Sequence, residues 1–485
     1  MFFKQIFEPK LAQYAYLIGC QESAEAIVID PMRDIQLYLD LAKEAGLKIT
    51  AVTETHIHAD FLSGMRQFAA AEGVKIYASD EGGADWKYNW LIDSDYNYQL
   101  LKDHDQFKVG GIVFEALHTP GHTPEHIIFK LTDAGGGAGS PMGILSGDFV
   151  FVGDVGRPDL LETAAGMKNM MRRSAETLGQ SLQMFNEFNP VWQVWPGHGA
   201  GSACGKALGA VPMSTVGYEL ENNVALIAAR NPKTFADYIL SGQPEPPPYF
   251  ARMKRDNRDG PAILNNIPEP TPLASQDLKA LLRRNDVALI DTRGWKDYCR
   301  GHLPGSIYAP FNCDFNTVVG CYVKEKTPMY LVIDAIKANE AAIDLVHIGL
   351  DDTVGFITPQ VFADYVSSGG EIESIKEIEV ADLDKCKDDP DAFLLDVRKL
   401  SEVETTGMFP GAHNIAHTRL APRINEIPTG KHIYVNCMSG QRSAYACGYL
   451  SSHGYSVINV TGGFLAWREY GGKLVSLEHT ASSAT

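Results

Sequence analysis

Two stretches of the chain repeat one another at an offset of about 105 residues. Ala288-Leu289-Ile290-Asp291-Thr292-Arg293, followed by Gly301-His302-Leu303-Pro304-Gly305-Ser306-Ile307, matches Phe393-Leu394-Leu395-Asp396-Val397-Arg398, followed by Gly407-Met408-Phe409-Pro410-Gly411-Ala412-His413. Each copy reads as an apolar strand ending in Asp-x-Arg, an irregular or helical piece, a Pro-Gly turn, a second strand (329–333; 432–436) and a helix. Strands separated by such long connections pair in parallel through crossovers rather than as hairpins. Two copies of one α/β domain are therefore expected, at 273–375 and 376–478.

Ahead of the repeat the pattern breaks. Gln243-Pro244-Glu245-Pro246-Pro247-Pro248, a charged piece at 252–259 and Pro268-Glu269-Pro270-Thr271-Pro272 mark residues 241–272 as a proline-rich linker without a regular helix or central strand. The chain has 485 residues, and at about 100–200 residues per domain one more domain fits before the linker, at 1–240. Apolar runs and periodicity there predict strands at 12–19, 25–30, 48–54, 112–117, 127–131, 143–146 and 191–195. Helices are predicted at 35–45, about 60–71, around 167–188 and at 218–229.

With 42 Lys+Arg against 60 Asp+Glu the net charge is −18, and no basic run offsets it, which argues against nucleic acid as a partner. No apolar run approaches the ~18 residues that span a bilayer, and residues 1–7 are too short for a signal peptide, so the expectation is a cytoplasmic protein without a membrane. Eight cysteines lie scattered without a CxxC pair, which fits free thiols rather than a disulfide scaffold.

Histidines and aspartates gather where the N-terminal strands stop. Thr55-His56-Ile57-His58-Ala59-Asp60, His118-Thr119-Pro120-Gly121-His122-Thr123-Pro124, Ser146-Gly147-Asp148 and Pro196-Gly197-His198 are loops that each deliver a nitrogen or oxygen ligand. Packing explains one such histidine easily and four such loops poorly, so a metal site is expected.

These motifs resemble the metallo-β-lactamase superfamily, with its His-x-His-x-Asp-His signature, over about residues 1–235. Where hydrolytic members have the last histidine of that signature this chain has Phe61, which cannot ligate and argues for one metal rather than two. Thr119-Pro120-Gly121-His122-Thr123-Pro124-Glu125-His126 and Gly153-Asp154-Val155-Gly156-Arg157-Pro158-Asp159 resemble the persulfide dioxygenase group. The resemblance implies an αββα sandwich and one Fe(II) per chain, held by His56, His122 and Asp148. A 2-His-1-carboxylate face leaves positions for O2 and a substrate sulfur. His58, Asp60 and His198 would then orient ligands or a water. Arg157 matches a position close to the carboxylate of the thiol carrier, with a surface salt bridge as the alternative. Cys204 lies in the small-residue loop Gly197-His198-Gly199-Ala200-Gly201-Ser202-Ala203-Cys204-Gly205, which can fold back over the metal pocket. There it would receive a sulfane sulfur, or simply fill a gap.

In the second copy of the repeat, Asn436-Cys437-Met438-Ser439-Gly440-Gln441-Arg442-Ser443 reads as strand, tight loop and helix start. Backbone N–H groups there stabilise a thiolate, and Arg442 would add a fixed positive charge. This resembles the rhodanese family, whose Cys-x4-Arg loop carries a persulfide, whereas the phosphatase relatives use Cys-x5-Arg. Asp396, Arg398 and the Pro410-Gly411 turn fit the same family. The first copy has Ile333 or Asp334 at the cysteine position and should be inactive; Cys299, Cys313 and Cys321 are read as ordinary thiols.

The whole resembles the bacterial fusions of persulfide dioxygenase with rhodanese, an inactive and an active rhodanese-like domain following the iron domain. What this implies is oxidation of a thiol persulfide by O2 to sulfite and thiol, with Cys437 passing sulfane sulfur toward thiosulfate. The alternatives are a zinc thioesterase of the glyoxalase II type fused to rhodanese, and a non-catalytic sulfur-relay scaffold. No motif chooses among glutathione, coenzyme A, cysteine and bacillithiol as carrier, and a homo-oligomer is the default expectation.

Overall fold

The computed structural model describes residues 1–160, 170–243, 245–386 and 389–476. The chain divides into two compact units, one comprising Met1–Asn266 with Val346–Gly349, the other the rest.

The first unit holds two six-stranded sheets. One contains, in spatial and chain order, β1 (Phe2–Glu8), β2 (Gln13–Cys20), β3 (Glu25–Ile29), β4 (Lys48–Thr53), β5 (Lys75–Ser79) and β6 (Tyr98–Leu101). The other contains β7 (Gln106–Val109), β8 (Ile112–His118), β9 (Ile127–Asp133), β10 (Gly143–Gly147), β11 (Gln193–Pro196) and β12 (Ser214–Thr215), likewise in order. Every residue of β2 is buried, and its alternation explains why. Tyr16 and Ile18 join Ile27, Phe114, Phe129 and Trp195 in a core between the sheets. Ala15 and Leu17 face outward to Tyr38 and Phe68, on the helices Gln36–Glu44 and Met65–Glu72. Leu178 and Leu182 of the helix Met171–Phe185 cover the outer face of the second sheet at Leu117, Ile128 and Ile144. Two sheets with a helical layer on each outer face make the αββα sandwich.

Some elements differ from the sequence reading. The helix expected from about residue 60 begins at Met65. The stretch expected as one helix at 218–229 is two, Val216–Asn222 and Val224–Ala229, because Asn223 turns its side chain to accept from Ala225 N and Leu226 N. The start of the helix expected around 167–188 lies outside the described residues.

The proline-rich linker needs a larger correction, because Phe250–Asp259 is an α-helix and the chain as far as Asn266 belongs to the first unit. Phe250, Met253 and Asn257 are buried at helical spacing. The surrounding charges and prolines hid that stripe.

The second unit contains two parallel sheets of five strands. The first has order β13-β17-β16-β14-β15, with β13 (Thr271–Pro272), β14 (Ala288–Asp291), β15 (Ser306–Tyr308), β16 (Met329–Val332) and β17 (Thr353–Ile357). The second has order β18-β22-β21-β19-β20, with β18 (Lys376–Ile378), β19 (Ala392–Asp396), β20 (His413–Asn414), β21 (His432–Asn436) and β22 (Ser456–Val460). The strand order is the same in both, as a repeat requires. The shared Asp-x-Arg is a structural pin: Arg398 pairs with Asp396 at 2.6 Å and donates to Gly407 O at 2.8 Å, and Arg293 does the same with Asp291 and Gly301 O. Among the described residues no helix is long and apolar enough to cross a membrane.

Candidate functional site

The ends of β4, β8, β10 and β11 deliver the predicted histidines and aspartates to one place. A ligand atom from each of His56, His122 and Asp148 lies within 4.8 Å of the other two, and all three residues are buried. His122 Nε2 is 3.4 Å and His56 Nε2 3.9 Å from Asp148 Oδ2. His122 Nδ1 donates to the Arg157 carbonyl at 2.9 Å, which turns Nε2 toward the aspartate. His56 Nδ1 lies 3.0 Å from Thr55 Oγ1, which in turn contacts Asp30 Oδ2 at 3.0 Å. Burial lowers the pKa of both imidazoles, keeping them neutral, the state in which they bind a cation. Both carboxylate oxygens of Asp148 are buried without a hydrogen-bond partner. An anion left so costs several kcal/mol unless a cation meets it, so the donor set fits a metal.

His126 was passed over by sequence reasoning as part of a motif. Its Nε2 accepts the Asp148 N–H at 3.0 Å and its Nδ1 lies 2.8 Å from Thr119 Oγ1, so it orients the aspartate loop. Gly156 and Gly197 keep that loop clear: a Cβ on either would fall 1.8 Å from Asp148 O or 2.7 Å from Asp148 Oδ1.

Beside these three, Asp60, His198 and Cys204 form a second buried group within 4.8 Å. His198 Nδ1 is 3.2 Å from Ala12 O, and its Nε2 lies 3.3 Å from Asp60 Oδ2 and 3.6 Å from Asp148 Oδ1. Asp148 thus stands between the two groups. Burial, then Asp60 and Asp148, raise the Cys204 thiol well above its ordinary value, so in this state it is neutral.

His58 does not join either group. Its Nε2 lies 3.0 Å from Asp30 Oδ1; burial opposes the charged ring, but Asp30 prevails and raises it to about 9. Phe61 is wholly buried with its ring 4.4 Å from that of His58. Arg157 is buried; it forms the salt bridge of one sequence reading, with Asp159 at 2.5 Å, in the interior rather than at the surface, and donates to Ala203 O at 2.9 Å. Arg157 thereby links the His122 loop, through its carbonyl, to the residue before Cys204.

Asn257, in the helix that sequence reasoning excluded, clamps the histidine loop. Its Nδ2 donates to His58 O at 2.8 Å and Phe61 O at 2.7 Å, and its Oδ1 accepts from Ser63 N at 2.9 Å. Glu125 Oε1 holds the other side by accepting the Ile57 N–H at 2.9 Å. These bonds keep 57–63 irregular and explain the late start of the helix at Met65.

In the second unit Cys437 is buried directly after β21, and its Sγ accepts the Gly440 N–H at 3.1 Å. Gly440 takes φ +112°, which a side chain rarely permits, and the helix Gln441–Ser452 starts next. Arg442, the fixed positive charge that the sequence suggested, is held by a carboxylate. Glu402 binds it through two bonds of 2.5 and 2.8 Å, and although burial raises the Glu402 carboxyl, Arg442 brings it below its ordinary value. In the first copy Val332 pairs with Asp291 as Asn436 pairs with Asp396, so Ile333 occupies the place of Cys437.

Comparison with known proteins follows the same division. Residues 9–198 match the metallo-beta-lactamase superfamily, and residues 274–348 and 379–470 match the rhodanese-like domain. The mitochondrial persulfide dioxygenase of Bos taurus is 32% identical over 181 residues, 37% of this chain and 60% of that protein. The chain thus spans about three fifths of that relative's length. A sulfurtransferase of Allochromatium vinosum is 37% identical over 92 residues, 19% of this chain and 85% of that protein. The crystal structure of a metallo-beta-lactamase from Staphylococcus aureus shares 39% identity, covers 74% of this chain and 99% of its own, and superposes with a TM-score of 0.66. The chain belongs to the metallo-β-lactamase superfamily, and it continues that fold with two rhodanese-like domains.

Proposed function

We propose that the chain is an iron(II) persulfide dioxygenase whose Cys437 handles the same sulfane sulfur. The observation that carries the reading is Asp148, an unpartnered buried carboxylate between two neutral imidazoles. Two histidines and one carboxylate on one face are the donor set of oxygen-using iron(II) sites. The relative from Bos taurus bears the name persulfide dioxygenase, which supplies the substrate class. The overall change is R–S–SH + O2 + H2O → R–SH + sulfite + 2 H+. Iron(II) would supply the one-electron chemistry that joins O2 to sulfur. The chain's part is to hold His56, His122 and Asp148 in place through Thr55, the Arg157 carbonyl and His126.

At the second site the Cys437 thiolate attacks the outer sulfur of R–S–SH, forming Cys437–S–SH and releasing R–S−. Sulfite then takes that sulfur, giving thiosulfate, a proton and the thiolate. The Gly440 N–H steadies the thiolate in both steps.

A second reading has one observation in its favour: Asp60, His198 and Cys204 flank Asp148 as a two-metal hydrolase would need. Phe61 opposes it by standing where hydrolytic members carry a histidine. Oxygen uptake and sulfite release from glutathione, coenzyme A, cysteine and bacillithiol persulfides, by protein purified without oxygen, test the proposal. Sulfite matching O2 consumed supports it; thioester hydrolysis without O2 uptake supports the second reading.

A further inference from the structure

The helix that follows the cysteine loop is buried from Ser443 to Leu450, and part of its cover comes from the first copy, which has Ile333 in place of the loop cysteine. Strand β15 comes so near that a Cβ on Gly448 would lie 2.5 Å from Tyr308 Cβ and 2.7 Å from its backbone nitrogen. Tyr322 stacks on Tyr449 at 4.3 Å and donates to the His417 carbonyl at 3.2 Å. The two copies therefore meet along the helix whose first turn shapes the sulfur site.

At that first turn a single oxygen of the first copy makes two bonds. Asp314 Oδ2 accepts from Gln441 Nε2 at 2.7 Å and from Tyr445 Oη at 2.9 Å. Gln441 and Tyr445 are four residues apart, on one face of the helix, and also bond each other at 2.7 Å. Burial, and next Asp314, raise the Tyr445 hydroxyl above its ordinary value, so it stays a donor. Gln441 directly follows Gly440, whose N–H bonds the Cys437 sulfur.

We propose that Asp314 is a positioning residue for Cys437: it fixes the first turn of Gln441–Ser452 and thereby the Gly440 N–H that holds the sulfur. The inference rests on reading Cys437 as the sulfur carrier. It gives the first copy, which lacks the loop cysteine, a task in the chemistry beyond covering a helix. The carboxylate acts in two opposed ways, since its position aids the thiolate while its charge repels it. Asp314→Asn keeps an acceptor and removes the charge; Asp314→Ala removes both.

The test uses the full chain and measures two things: the pH dependence of Cys437 alkylation by iodoacetamide, read by mass spectrometry on its peptide, and the steady-state rate of sulfur transfer. Asp314→Ala should move the alkylation profile to higher pH and lower kcat about tenfold with little change in KM, the scale of losing two hydrogen bonds. Asp314→Asn should restore most of the rate, with a profile at or below the wild-type pH. Gln441→Ala, which breaks the contact from the other side, should reproduce the shift of Asp314→Ala and covers the case in which that variant folds poorly. Wild-type profiles and rates in both alanine variants would overturn the proposal, as would an asparagine variant as impaired as the alanine one. Alkylation reports on the thiol itself and so judges Asp314 whatever carries the sulfur. Sulfur transfer persisting in Cys437→Ser would overturn the carrier reading alone.

Discussion

At the end of β10, Asp148 keeps both oxygens buried and without a hydrogen-bond partner, whereas at the end of β21 the Cys437 sulfur accepts a backbone N–H from the start of a helix. The metal centre gathers ligand atoms, from three imidazoles, two aspartates and a thiol, with the nearby cation Arg157 paired to Asp159. The cysteine loop sets a backbone donor, the Gly440 N–H, against its sulfur, and its arginine is paired to Glu402. Both use the strand-to-loop transition of a layered α/β fold, but one is shaped for a cation and the other for an anionic sulfur. This opposition makes the two sites separable by mutation.

The largest effect should come from the ligands. His56→Ala, His122→Ala or Asp148→Ala should each abolish bound iron and reduce O2 consumption at least 100-fold, because a three-ligand face cannot lose a member and keep its geometry. Thiosulfate-dependent sulfur transfer should be unchanged in all three. Cys437→Ser should do the reverse, losing transfer while sulfite production from a small persulfide continues. Stoichiometric iron with normal turnover in the ligand variants would break the comparison.

Asn257→Ala should give an intermediate effect confined to the metal side. It leaves His58 O, Phe61 O and Ser63 N unpaired, which should cost about 1–3 kcal/mol in stability and roughly tenfold in metal affinity. Calorimetry and metal competition check this, and wild-type values in both would remove Asn257 from the site.

A smaller effect belongs to the cysteine side and depends on pH. Burial, then Arg442 and Lys399, depress His417 from 6.5 to about 3. The unfolded chain takes up that proton first, so the stability from neutral His417 is full above about pH 6.5 and falls as pH drops toward 3. His417→Gln should flatten this fall by roughly 1–3 kcal/mol. Denaturant titrations at pH 7, 5 and 4 check it; parallel curves for variant and wild type would contradict it.

The smallest effect is expected from Phe61→His. With Asp60, His198 and Asp148 already adjacent, it should raise metal content partway from one toward two per chain. An unchanged count would show that the pocket wall, and not the missing ligand alone, keeps the site mononuclear.

The strands that bear the chemistry were legible because they are apolar runs that stop at Gly or Pro beside a polar ligand, as at Gly147-Asp148 and Pro196-Gly197-His198. The repeat made the parallel sheets legible as well. Edge strands such as β6 and β7 escaped because four residues with mixed burial carry little pattern. The pairings of Arg157 with Asp159 and of Arg442 with Glu402 were not legible, because a sequence shows a charge but not the carboxylate that folding places against it. Asn257 and Asp314 act through hydrogen bonds across 194 to 199 and 127 to 131 positions of chain, and no local pattern announces such contacts. The helix Phe250–Asp259 alone left a usable signal, its buried residues at helical spacing.

Metal analysis of the full chain, purified without oxygen and paired with O2 uptake on a persulfide, tests the central claim most directly. The account predicts one iron per chain, with uptake proportional to iron content. Two zinc ions per chain, with thioester hydrolysis and no O2 uptake, would contradict it.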